Sequence, residues 1–232
     1  MFGMSRTSTE PLAPLIRRWQ RGWGLASALA PAEESDGALH VDLGRPGRKS
    51  ERIVLDADQY PERLRALAAR VAAAAEPDWL TVPTNDPERT VRLVRDAGLM
   101  VDPGHETFMS ADLTAHPAPG AWAPYTARLS EEHVVAGRAA VFRAHLAAPG
   151  VTRAASGIGA LVDTDLVVHA IRTEPDHRRR GLGSAVMGAL TERAREHGAK
   201  EGLLVSTAQG REMYTRLGWR VRASVVVARR AP

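Results

Sequence analysis

The run Leu166-Val167-Val168-His169-Ala170-Ile171-Arg172-Thr173-Glu174-Pro175-Asp176-His177-Arg178-Arg179-Arg180-Gly181-Leu182-Gly183-Ser184 decides the fold. It reads as a strand that enters a tight basic turn and passes directly into a helix. The turn has the spacing Arg178-x-x-Gly181-x-Gly183. The first turn of a helix carries unsatisfied N–H groups and a partial positive charge. Glycines at 181 and 183 let a ligand approach the backbone closely. A pyrophosphate is the natural guest of such a loop, and Arg178, Arg179 and Arg180 supply compensating charge. A solvated basic turn or a nucleic-acid contact would have no use for the glycine spacing. Neither the dinucleotide fingerprint GxGxxG nor the triphosphate loop GxxxxGK[ST] is present.

Downstream, Leu182, Val186, Ala189, Leu190 and Ala194 form the apolar stripe of a helix over Leu182–His197. A strand (Gly202–Thr207), a short helix (Arg211–Leu217) and a final strand (Val221–Ala228) follow. Upstream, Tyr125–Leu129, Val134–Leu146, Thr152–Val162 and Asp165–Thr173 read as an antiparallel meander. Before it, three prolines fall between His116 and Pro124, which no helix interior or central strand tolerates. A linker is expected there, dividing the chain into lobes of residues 1–115 and 121–232. The first lobe reads as a helix (Leu12 to Ala28) and a hairpin (Ala38–Leu43 and Arg52–Leu55, turning at Gly44-Arg45-Pro46-Gly47). A helix from Pro61, a strand (Trp79–Val82), a helix (Pro87–Ala97) and a strand (Glu106–Leu113) complete it. Both lobes thus share the order strand, helix, strand, helix, strand. Leu93-Val94-Arg95-Asp96-Ala97-Gly98-Leu99 matches Met213-Tyr214-Thr215-Arg216-Leu217-Gly218-Trp219 in position, which points to a faint internal duplication.

Composition bounds the function. The chain has 232 residues, 44% hydrophobic and 25% charged, the balance of one large or two small globular domains. No apolar run is long enough to span a membrane. The first ten residues lack an apolar core followed by a cleavage site, so no secretory signal is expected and a cytoplasmic location is. There is no cysteine, which removes disulfides, thiolate metal sites and a cysteine nucleophile. No HxxxH or HExxH spacing appears, and no metal is expected. Only Lys49 and Lys200 are lysines among 31 basic side chains, and the net charge is +4. Arginine forks suit phosphate and carboxylate, although a GC-rich genome produces the same bias. Aromatics are 5% of the chain and are not interleaved with the basic residues, which argues against nucleic-acid binding.

Thr173-x-Pro175-x-x-Arg178-x-x-Gly181-x-Gly183, the helix, the strand and Met213-Tyr214-Thr215-Arg216-Leu217-Gly218-Trp219, in this order, resemble the Gcn5-related N-acetyltransferases. The resemblance is strongest over residues 160–220. It implies an α/β (α+β) fold of two such lobes, each a mixed, mainly antiparallel sheet flanked by helices, the first having lost its cofactor loop. It implies acetyl-coenzyme A as the donor and a small-molecule amine as the acceptor. The backbone of Ile171, Arg172 and Thr173 would then pair with the pantetheine arm. The N–H groups from Arg178 through Arg179, Arg180, Gly181, Leu182 and Gly183 to Ser184 would hold the pyrophosphate. Tyr214 matches the tyrosine that protonates the departing thiolate.

The general base is left open among His169, Glu174 and a water-mediated route. Strand alternation puts Val167, His169, Ile171 and Thr173 on one face, so His169 is expected beside the thioester. The family's usual asparagine is Thr207 here, whose hydroxyl can still reach the cofactor. Between Leu129 and Val134 there is no room for the helices that wall the acceptor site in the family. The N-terminal lobe or a partner subunit is expected to supply that wall. Asp56-Ala57-Asp58-Gln59-Tyr60-Pro61-Glu62, where the first lobe would carry its loop, has three carboxylates and no glycine pair. Val94 stands where the tyrosine would be, so no cofactor is expected in that lobe. A monomer or homodimer is expected. A non-catalytic acyl-coenzyme A sensor is the competing reading.

Overall fold

The computed structural model describes residues 11–104, 106–134 and 139–231. The reading of the first ten residues, and part of the segment from Val134, lie outside the described residues. The elements in chain order are α1 (Leu12–Ala26), β1 (Glu33–Ser35), β2 (Ala38–Arg45), β3 (Arg48–Val54), α2 (Pro61–Ala73), β4 (Asp78–Thr84), α3 (Pro87–Asp96), β5 (Leu99–Val101) and β6 (Glu106–Asp112). After the linker come β7 (Thr126–Val134), β8 (Ala139–Ala148), β9 (Val151–Val162), β10 (Asp165–Thr173), α4 (Leu182–Glu196), β11 (Glu201–Ser206), α5 (Ala208–Arg216) and β12 (Arg220–Arg230).

Local chemistry explains these boundaries. Pro61 and Pro87 open α2 and α3 from the first helical turn. Asp86 caps α3 by accepting from Arg89 N at 3.0 Å. Gly98, Gly198 and Gly218 follow α3, α4 and α5 with φ of 83°, 89° and 90°. The hairpin of β2 and β3 turns at Pro46-Gly47, with Arg45 opposite Arg48. Helix α5 starts three residues earlier than the sequence pattern suggests, because Thr207 caps it by accepting from Gly210 N. The three-residue strands β1 and β5 carry too little pattern to be read from sequence.

Both lobes enter one twelve-stranded sheet, ordered β1-β2-β3-β4-β12-β6-β11-β10-β9-β8-β7, with β5 also paired to β12. The repeat expected from sequence is present in the topology. In each lobe a parallel pair (β3 with β4, β10 with β11) brackets a crossover helix (α2, α4). The final strands are exchanged. β6 ends the first lobe but pairs with β11 of the second, Ser110 opposite Leu203. β12 ends the second lobe but pairs with β4 of the first, Val226 opposite Val82. The two exchanged strands then pair with each other at the sheet's centre.

Alternation along these strands builds a core on each face. Helix α1 lies alone on one face. Its Leu15, Ile16 and Trp19 pack on Leu39, Ile53, Phe108, Val167, Leu203 and Val225, which come from both lobes. The other four helices cover the opposite face, α2 and α3 over the first lobe and α4 and α5 over the second. The linker runs across α4. A Cβ at Gly188 would stand 2.2 Å from the Pro119 carbonyl oxygen, so only glycine admits that crossing. Because β6 and β12 are traded, a chain cut at a protease site inserted after Gly120 should still elute as one particle the size of the uncut protein. Size-exclusion chromatography under native conditions checks this, and separation of two halves would contradict the exchange.

Candidate active site

The two strands β10 and β11 part early. They pair in parallel only at Asp165–Glu201, Leu166–Gly202 and Val167–Leu203. Beyond that, β10 stays with β9 and β11 with β6, so a V opens between them. Its closed end is stapled by Arg18 of α1. Arg18 Nε donates to Asp165 Oδ2 at 2.8 Å, and Nη2 donates to Asp165 Oδ1 at 2.5 Å and to Glu201 Oε2 at 2.6 Å. The hydrogen bond to Asp165 holds the guanidinium pKa above its ordinary value despite the opposing effect of burial.

The edge of the V formed by β10 is bulged. The register to β9 shifts between His169, opposite Ile158, and Arg172, opposite Ser156. Ala170 takes φ of 54°, a conformation that costs a non-glycine residue energy. The bulge inverts the alternation. Val167 packs into the core under α1, and His169 follows it, its ring edge-on to Trp23 at 6.5 Å. Ile171 turns the other way, and a Cβ on Gly157 would meet both Ile171 and Val186 of α4. The expectation that His169, Ile171 and Thr173 share a face is therefore corrected. His169 lies on the α1 face and Ile171 on the α4 face, because one extra residue in the strand reverses every later side chain.

At the open end of the V stands the start of α4. Its N-cap is Gly181 (φ 67°, ψ 8°), with no side-chain cap, and Arg179 also has positive φ (60°). Among the described residues, no hydrogen bond engages the N–H groups from Arg179 to Ser184. A row of free donors at a helix start, with two left-handed residues, forms an anion-binding concavity. A pyrophosphate fits this donor set. Around Gly183, Met213 of α5 and Ile171 of β10 converge: a Cβ there would lie 2.8 Å from Met213 Sδ and 3.8 Å from Ile171 Cγ2.

Two of the three arginines are held by the protein itself. Arg178 Nε donates to the Thr173 carbonyl at 3.3 Å. Arg180 Nη1 donates to Tyr125 Oη at 2.9 Å, which leaves the tyrosine hydrogen for His177 Nδ1, also at 2.9 Å. Trp122 lies against Gly181, where a Cβ would meet its ring at 2.7 Å. The linker thus braces the loop. Sequence reading places Trp122 in the linker and Tyr125 at the start of a strand and gives neither a part in the loop; two aromatics beside a proline-rich stretch were the available signal.

Tyr214 is buried beside Trp219, ring centroids 6.1 Å apart. Burial pushes its phenol up to about 12. A Cβ at Gly210 would stand 3.1 Å from both Tyr214 Cε2 and Ser206 Oγ, so the tyrosine ring lies next to the end of β11. Thr207 is exposed and spends its oxygen lone pair on the α5 cap. Glu174 lines a cavity of about 470 Å³ on the outer part of β8, β9 and β10, beside the bulge. Helix α1 covers the inner part of the same face. In the first lobe, the loop after β3 carries Asp58, which accepts from the Thr84 hydroxyl and from Asn85 N, and Val94 is buried. Among the described residues, no helix is long and apolar enough to cross a membrane, and no group of three or more His, Asp or Glu side chains could hold a metal.

Comparisons with known proteins bear on the family and the fold. The profile of the acetyltransferase (GNAT) family matches residues 95–219, more than half of the chain. No curated protein matches. Among solved structures, a GCN5-related N-acetyltransferase from Kribbella flavida is similar with a TM-score of 0.65 at 16% identity, over 94% of this chain and 95% of that one. A tandem GNAT protein from the clavulanic acid biosynthesis pathway has a TM-score of 0.59 at 12% identity, over 88% and 85%. A GCN5-related N-acetyltransferase from Sphaerobacter thermophilus has 0.56 at 14%, over 83% and 76%. At these identities the likeness is one of fold.

Burial holds His169 below its ordinary value of 6.5, and the charge of Arg45 acts in the same direction. The unfolded chain therefore takes up this proton at higher pH than the folded one. The stability contributed by the neutral ring is complete above 6.5 and is lost as pH falls toward the lowered folded value. In denaturant titrations from about pH 7.5 downward, wild type should lose stability relative to His169→Gln once below pH 6.5. Parallel curves would contradict the burial of this ring.

Proposed function

We propose that this chain, which belongs to the acetyltransferase (GNAT) family, transfers acetyl from acetyl-coenzyme A directly to a primary amine of a small molecule, both bound together. The observation that carries the reading is the uncapped start of α4, which faces the open V between β10 and β11. The residues at the loop fit the donor's pyrophosphate, and the edge of β10 that faces the V, no longer paired with β11 beyond Val167, suits an extended arm. When bound, the donor supplies a thioester carbonyl that the amine nitrogen attacks as the carbon–sulfur bond breaks.

The chain's own groups manage the protons. His169 is half-buried on the face opposite Ile171, and its lowered pKa keeps it neutral near pH 7. It accepts a proton from the incoming amine. The backbone N–H at Ile171 faces the developing oxyanion. Tyr214, protonated across the working range, gives its proton to the thiolate. Glu174, at the cavity beside the bulge, attracts the acceptor's ammonium form. The first lobe acts as scaffold and acceptor wall. Helix α1 covers the face for which the family uses other helices, with Trp23 against His169. This position of α1 supports the catalytic reading over a binding-only sensor. Thr207 remains a ground for the sensor.

Tyr214→Phe tests the assignment. Turnover, followed as release of free thiol, should fall roughly 100-fold, the scale of general acid catalysis. The calorimetric affinity for coenzyme A should change little. Equal losses in both would make Tyr214 a packing residue, and no heat with coenzyme A would overturn the whole reading.

A further inference from the structure

The cavity beside the bulge is lined by more basic than acidic side chains. Arg143 and His145 of β8, Ser156 and Arg153 of β9, Arg172 of β10 and the following Glu174 line its space of about 470 Å³. The register explains why they meet. Ser156 stands opposite both His145 and Arg172, and Ile158 opposite both Arg143 and His169. Arg143, His145, Arg172 and His169 therefore project onto one face from neighbouring strands, the face α1 leaves open at this end. The bulge sends Arg172 there; without it, strict alternation would place Arg172 on the α4 side.

Some arginines of this chain are matched with acids, such as Arg17 with Glu34, Arg52 with Asp78 and Arg18 with Asp165, and others on the surface are not. Among the described residues, no ion pair engages Arg143, Arg153 or Arg172. Arg143, Arg153 and Arg172 are exposed and share this space with one carboxylate, Glu174, so the lining carries a net positive charge that favours an anion. Their forked donors suit carboxylate or phosphate oxygens. The phosphate loop at Gly181 belongs to the helix on the opposite face, so this charge is not needed there. The volume suits a small ligand.

We propose that the acceptor amine also carries an anionic group, a carboxylate or a phosphate, which Arg143, Arg153 and Arg172 hold while the nitrogen lies toward Glu174 and the Ala170 bulge. The proposal rests on the acetyltransfer reading for the fate of the amine, but the anion preference can be read without turnover. Calorimetry is run with coenzyme A saturating, so that the phosphate loop is filled. The probes are two matched pairs: 4-aminobutyrate against butylamine, and O-phosphoethanolamine against ethanolamine. Wild type should bind the anionic member of at least one pair roughly tenfold or more tightly, the scale of one charge-assisted hydrogen bond. In the double variant Arg143→Gln/Arg172→Gln that ratio should fall toward one. The pair that responds identifies the anion. Equal binding within both pairs, or an unchanged ratio in a variant that unfolds at the wild-type temperature, overturns the proposal. Selective binding with acetyl-coenzyme A but no thiol release would uphold it while overturning acetyl transfer.

Discussion

One guanidinium decides where the sheet stops being continuous. Arg18 reaches from the first helix to Asp165 and Glu201, the first residues of β10 and β11, and ties them with three hydrogen bonds. Desolvating such a group is costly, and only full pairing offsets it. The staple acts where the two strands begin, so the strands are free to diverge further on. Every functional element described above is arranged around that divergence. The loop of α4 stands at its mouth, Tyr214 beside the β11 edge, and the bulge on the β10 edge.

The same helix answers why two lobes are kept when one has lost its loop. Helix α1 belongs in sequence to the first lobe, yet its apolar side rests on strands of both. The exchange of β6 and β12 interlocks the lobes further. A strand at the edge of a half-sheet needs a partner for its backbone groups, and here each half completes the other. The degenerate lobe is thus a structural part of the second one. In that lobe Asp58 fastens the start of the next segment, accepting from the Thr84 hydroxyl and Asn85 N.

Much of this was legible in sequence because it is local. Glycine spacing, proline at helix starts and the apolar stripe of α4 are read within one turn or one strand. The repeat was visible for the same reason. The bulge was not: Ala170 is an ordinary residue in a run of strand formers, and its positive φ is imposed by the strands on either side. The faces of Ile171 and Thr173 were misread as a consequence. The strand exchange was hidden because β6 has the same alternation whether it pairs with β4 or with β11. The bracing of the loop by Trp122 and Tyr125 depends on the linker crossing α4 at Gly188, a contact between residues distant in sequence.

The bulge also resolves an electrostatic problem. A phosphate-bearing donor and an anionic acceptor repel if they share one surface. Here the free N–H groups of α4 lie on one side of the sheet and the three unpaired arginines on the other, with the opened strands between them. In the proposed reading backbone dipoles serve the first anion and side-chain cations the second, and only the ends without phosphate or anion, the thioester and the amine, need to meet at the gap. A strand with regular alternation could not do this, since it would turn Arg172 toward the phosphate loop and Ile171 toward the acceptor. On that reading the energy stored in the left-handed Ala170 is the cost of dividing two like-charged ligands between two faces of a single sheet.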